Sequence, residues 1–91
     1  MTRHQFDRDA YKDAFAVALE DTRVMLGLTR AELSARLDWS PTRIRDYELG
    51  RRNVRVEDAA LIAEALGIPL ADLLPPVPTV MERVALQGSA R

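Results

Sequence analysis

Seven arginines, Arg30, Arg36, Arg43, Arg45, Arg51, Arg52 and Arg55, fall within residues 29–55, against four acids, Glu32, Asp38, Asp46 and Glu48. That stretch therefore carries +3, while residues 1–28 carry −1 and residues 56–91 carry −3, for a net charge of −1. A guanidinium is a permanent cation whose five N–H groups form a planar fork, matched to oxyanions and to paired acceptors on one edge of a base. The chemistry on offer is recognition by charge-assisted hydrogen bonds, placed where phosphate contacts would be needed. A solvated, arginine-rich surface is the plain alternative. Bond-making chemistry finds no support. The chain has no cysteine, and its single histidine, His4, sits in a polar N-terminal segment. With no thiolate, no clustered carboxylates and no second imidazole, neither a nucleophile nor a metal site is implied. The expectation is a non-enzymatic protein with no cofactor.

The elements that must position these arginines lie in residues 29–50, TRAELSARLDWSPTRIRDYELG. Thr29 and Glu32 have the spacing of a capping box, each side chain serving the other's backbone amide. Leu28 and Leu33 flank that cap as a hydrophobic staple. The second helix repeats the device, with Ser40 as N-cap, Pro41 at the first helical position, and Trp39 with Ile44 as its staple. Gly50 supplies a left-handed stop. Between Leu37 and Ser40 only Asp38 and Trp39 remain, so the two helices cross in a fixed helix-turn-helix. Ala31, Ser34 and Ala35 are small enough to admit the second helix closely. Ile44 and Tyr47 point inward, leaving Thr42, Arg43, Arg45 and Asp46 outward.

The rest of the chain builds the support. At 91 residues, with 47% hydrophobic and 30% charged residues, it is one soluble domain. Residues 1–8 read as a flexible arm, 9–74 as the domain and 75–91 as a proline-led tail for dimerisation or docking. In the first helix, Tyr11, Phe15, Ala18, Leu19, Thr22, Met25 and Leu26 recur at helical spacing, capped by Asp9, Asp7 or a neighbour and stopped by Gly27. After a polar loop at 51–55, a fourth helix runs from about Val56 to Leu66. Its buried face is read as Val56, Ala59, Ala60, Ile62, Ala63 and Leu66, with Leu61 off that face and Gly67 as stop. Residues 70–74 add one or two helical turns before Pro75 and Pro76. No apolar run approaches a membrane span and the N-terminus has no signal-peptide pattern, so no membrane partner is expected and the cytoplasm is the default.

These pieces resemble the lambda-repressor-like (Cro and Xre type) helix-turn-helix regulators. The likeness covers about residues 16–74, through LGLT, AELSARL, SPTRIRDYELGRR and EALGIPLADLL in register. It implies a compact, all-α, five-helix domain, a structural ion pair between Arg23 and Glu48, and double-stranded DNA as partner. Three departures stand out. Arg30 replaces a usual glutamine at the start of helix 2, Asp38 takes a turn position usually small or glycine, and Trp39 replaces a valine-like residue and should fill the core under the turn. Asp46 holds a position that often touches a base edge in relatives. A carboxylate there either accepts from a cytosine amino group or stays off the DNA.

The resemblance implies that helix 3, about residues 41–49, enters the major groove N-terminal half first. Pro41, Thr42, Arg43, Arg45 and Asp46 are then the base-reading candidates, with Arg45 the best placed to pair bidentately with guanine. Thr29, Arg30, Ser40, Arg51, Arg52 and Arg55 are the phosphate-binding candidates, which fix register without reading sequence. So short a reading unit gains specificity by pairing, as a homodimer on half-sites about 34 Å apart. The implied function is a sequence-specific transcriptional regulator, a repressor by preference. An adaptor that keeps the fold without specific DNA binding is the alternative, motivated by Asp46 and the acidic overall balance.

Overall fold

The first three helices start at side-chain caps, and the first four stop at a left-handed residue. In the computed structural model, which describes residues 7–76, the helices are α1 (Arg8–Met25), α2 (Arg30–Leu37), α3 (Pro41–Glu48), α4 (Val56–Leu66) and α5 (Leu70–Leu73). There is no strand among the described residues. Positions 1–6 of the expected arm and 77–91 of the expected tail lie outside them. Asp7, one of the expected caps, accepts from the amide of Ala10 at 3.0 Å. The Thr29 hydroxyl accepts from the Glu32 amide at 3.0 Å, and the Thr29 amide donates to Glu32 at 2.8 Å, closing the capping box. At α3, Ser40 accepts from the Arg43 amide at 3.4 Å and Pro41 occupies the first turn.

The exits share one geometry. At the ends of α1 to α4 a left-handed residue lets two successive amides fold back onto the last turn. Three of those residues are glycine and the fourth is Asp38, at φ 58°. At Gly50 (φ +69°) the demand is also steric, because an added Cβ would lie 2.8 Å from the Asp13 carboxylate on α1. The end of α3 thus presses directly on α1.

All five helices contribute to one core, formed by Phe15, Leu19, Leu33, Ile44, Tyr47, Ala59, Ile62, Ala63, Leu66 and Leu73. Full burial of a side chain of this size is worth about 1.5–3 kcal/mol. Trp39, Leu28, Leu37 and Val54 pack around it half-buried. Two hydrogen bonds bind the margins: Tyr11 to the Pro75 carbonyl at 2.9 Å, and Arg36 on α2 to the Ala65 carbonyl near the end of α4 at 2.8 Å.

The buried faces differ from the expected ones at the helix ends. Met25 is 80% exposed and Leu26 46%, because both lie past Arg23, the last buried residue of α1. Val56 is 77% exposed, one turn ahead of Ala59, and lines the mouth of a groove of about 440 Å³ beside α1. Ala60 faces solvent, leaving Ala59, Ile62, Ala63 and Leu66 as the inward stripe of α4. Of the three small residues on α2, Ser34 is buried, whereas Ala31 and Ala35 are exposed.

Candidate nucleic-acid interface

The end of α3 is fixed by a carboxylate with no exposed surface. Glu48 receives Arg23 Nε at 2.6 Å on Oε2 and Arg23 Nη2 at 3.0 Å on Oε1. Arg30 Nε adds a third donor to Oε1 at 2.8 Å. Arg23 also donates to the Leu28 carbonyl at 2.7 Å, in the joint between α1 and α2. One acid therefore ties α1, α2 and α3 together. The Glu48 hydrogen bond lifts the Arg23 guanidinium above its ordinary value, against the desolvation that lowers it. Such a buried pair fixes geometry more than it adds net stability, but removing either partner strands a charge.

Arg30 is placed differently from Arg23. Its guanidinium is about one-third exposed, with Nε bound to Glu48 and Nη2 4.0 Å from Glu20 on α1. The bond to Glu48 orients the head while leaving its far side toward solvent. Sequence spacing gave no hint of this third donor, since residues 30 and 48 lie on separate helices with no shared periodicity.

The outward side of α3 is its other face. Pro41, Thr42 and Arg45 are exposed, and Arg43 and Asp46 are half-buried. The Arg45 side chain makes no hydrogen bond or ion pair within the described residues. The first turn of α3 has no acid, so the positive end of its backbone dipole is not offset locally. Thr29 and Ser40 are exposed at the starts of α2 and α3, their side-chain oxygens engaged as caps. In the loop before α4, Arg51, Arg52 and Arg55 are exposed, and the Arg52 guanidinium lies 5.5 Å from the Tyr47 ring centroid.

Arg43 has a set of partners that the sequence reading missed. Its guanidinium stacks 3.7 Å over the Trp39 ring, donates from Nη2 to Asp58 on α4 at 2.9 Å, and reaches the Tyr47 hydroxyl from Nε at 3.4 Å. The Tyr47 hydroxyl is also 3.4 Å from the same Asp58 oxygen. The bond to Tyr47 and the charge of Asp58 hold the guanidinium above its ordinary value, against partial desolvation. Trp39 precedes the Ser40 cap and lies outside the helix, so no helical spacing signalled its contact with Arg43. Trp39 lies under the turn as expected, half-buried against the core, and its outer face carries this cation.

A family model for helix-turn-helix domains matches residues 19–73, more than half of the chain. The chain belongs to the Cro/C1-type helix-turn-helix family. Three similar solved structures frame the fold. The restriction-modification controller protein C.AhdI from Aeromonas hydrophila is 26% identical with a TM-score of 0.68, covering 71% of this chain and 98% of that one. The clp gene regulator ClgR from C. glutamicum is 30% identical with a TM-score of 0.67, covering 78% and 88%. Hydroxypropylphosphonic acid epoxidase from S. wedmorenis is 26% identical with a TM-score of 0.69, but this chain spans only 36% of that enzyme. No curated protein matches the chain. The five-helix, all-α architecture is that of this helix-turn-helix family. Among the described residues, no helix is long and apolar enough to cross a membrane, and no group of three acids or histidines is placed to hold a metal ion.

Proposed function

We propose that the protein is a sequence-specific DNA-binding transcriptional regulator, acting as a repressor in the cytoplasm and without catalytic activity. The observation that carries this reading is the outward face of α3, where Pro41, Thr42 and Arg45 are exposed and the Arg45 side chain is unpartnered within the described residues, together with the exposed Arg51, Arg52 and Arg55 of the loop that follows. In this reading α3 enters the major groove, with Arg45 pairing with a guanine and Thr42 and Pro41 packing on neighbouring base edges. Arg43 and Asp46 flank that contact. Thr29, Arg30, Ser40, Arg51, Arg52 and Arg55 engage phosphates and set the register. Arg30 suits that role because Glu48 already holds its stem, so less freedom is lost on binding. Two copies on half-sites about 34 Å apart supply the specificity that one short helix lacks. The family and the regulators C.AhdI and ClgR support this reading, and the short share of the epoxidase that is matched supports a domain without its chemistry.

Selection of bound fragments from random duplex DNA, followed by anisotropy titration over a salt series, tests the proposal. The expected result is an enriched, two-fold symmetric sequence, with log K falling by roughly 4–5 per decade of salt for about five neutralised phosphates. No salt-dependent affinity at low ionic strength would instead identify a protein-interaction adaptor built on the same fold.

A further inference from the structure

The two outward arginines of α3 are not equivalent. The Arg45 side chain is exposed and unpartnered within the described residues. On Arg43, Nε and Nη2 form one edge of the guanidinium fork, and both are occupied, by the Tyr47 hydroxyl and Asp58. The flat face of the same group lies on Trp39, which fixes the plane of the fork. Side-on pairing with the O6 and N7 acceptors of guanine needs that edge free. The acceptor that matters most is Asp58, whose bond is the shortest of the set and the only one to a charge. Asp58 lies in the first turn of α4, where an acid also offsets the helix dipole, but Glu57 in the same turn serves that purpose. The dipole therefore does not account for an acid at position 58 facing α3.

We propose that Asp58 is a positioning residue for DNA recognition: it holds the side edge of Arg43 against α4, withdraws that edge from base reading, and leaves Arg45 as the arginine of α3 free to pair side-on with a base. This rests on the DNA-binding reading above. In the bound state Arg43 contributes charge to the protein face, screened by Asp58, and does not read guanine through its side edge. Specificity at its position is set by an acid on a different helix from the one that enters the groove.

Random-duplex selection and salt-series titration on the full chain test the assignment, using the parent, Asp58→Ala, Arg43→Ala and the double variant. Freed from Asp58, Arg43 gains its edge and a net charge. Asp58→Ala is expected to bind random duplex more tightly, with a salt slope steeper by about 0.9. It should also acquire a new guanine preference of at least about fivefold, the lower end of what a bidentate arginine contact discriminates. Adding Arg43→Ala should erase both gains. A purely structural Asp58 would change the folded fraction and, through the lost charge, the slope, but not the selected sequence. An Asp58→Ala protein that is folded by circular dichroism yet selects the parental sequence overturns the assignment, whatever its slope. So does a new preference that survives Arg43→Ala. If Asp58→Ala fails to fold, Asp58→Asn, which keeps the shape and loses the charge, carries the same comparison. A DNA-free reading is the Arg43 Nη–H signal in ¹⁵N-edited NMR, since Nη2 is the nitrogen that Asp58 holds; it is expected to exchange slowly in the parent and faster in Asp58→Ala, and equal exchange counts against the latch. Parental protein without salt-dependent DNA affinity defeats the underlying reading, whereas a binding parent with an unchanged variant defeats this assignment alone.

Discussion

The two faces of α3 use the same side chains for opposite purposes. On the inner side, the Glu48 side chain is fully buried and holds Arg23, whose charge is spent inside the protein, while it also fixes the stem of the partly exposed Arg30. On the outward face, the Arg45 side chain meets no acceptor within the described residues, and its cationic neighbour Arg43 is held at the surface by Asp58 and Tyr47. An arginine beside a buried acid is a strut, and an arginine without one is a reader in waiting. The rod is thus anchored where it leaves the core and presented where it meets solvent. Residue type alone does not separate the roles; the location of the nearest carboxylate does.

The sharpest way to break this contrast is on the anchored face. Glu48→Ala leaves Arg23 buried without its partner, and losses of this kind cost about 3–5 kcal/mol. That is a large share of the 5–15 kcal/mol available to a small domain. The expected outcome is a strongly lowered melting temperature, or a chain unfolded at 37 °C, measured by circular dichroism. Replacing both partners by apolar residues, Arg23→Met with Glu48→Leu, should recover much of the loss, because no charge is then stranded. Equal destabilisation in the single and double variants would mean that packing, not the ion pair, fixes this face.

How much of this was legible beforehand follows from how local each cause is. The helix boundaries were readable because caps act over three or four residues: Thr29 with Glu32, Ser40 with Pro41, and Gly50 at the exit all encode their function in adjacent positions. The Arg23–Glu48 contact was reached through family resemblance, since no spacing rule joins residues on α1 and α3. Arg30 on Glu48 and Arg43 on Asp58 escaped entirely, for the same reason. The misjudged burial of Met25, Leu26, Val56 and Ala60 has another cause. Periodicity reports which face of a helix is apolar, but not how far along that face the neighbouring helices extend.

On the presented face the contrast predicts the reverse behaviour. Arg45→Ala removes an exposed side chain with no internal partner, so folding stability should change by no more than about 0.5 kcal/mol. Affinity for the selected sequence should nonetheless fall by about 1–3 kcal/mol, roughly 5- to 150-fold, while binding to random duplex changes far less. Titration of both duplexes at one salt concentration checks this. An equal loss against both would place Arg45 on a phosphate and move base reading elsewhere on α3.

The smallest effect compares the starts of α2 and α3. Glu32 accepts from the Thr29 amide at 2.8 Å, and that bond, together with the Thr29 side chain, holds its carboxyl below its usual value in the folded state. The folded protein therefore binds that proton less readily than the unfolded chain does. The cap's contribution is complete above the unfolded carboxyl value, about 4.3, and is lost as pH falls through the lower folded value. The start of α3 has Ser40 and Pro41 and no acid in its first turn, so it contributes no such carboxylate dependence. Thermal melts from pH 6 to pH 3 should accordingly show a shallower decline in Glu32→Gln than in the parent. Ser40→Ala should lower stability by about 1 kcal/mol at every pH, leaving the slope of the decline unchanged. Parallel curves for the parent and Glu32→Gln would show that the acid dependence arises at other carboxylates, and that the two helix starts differ in composition without differing in response.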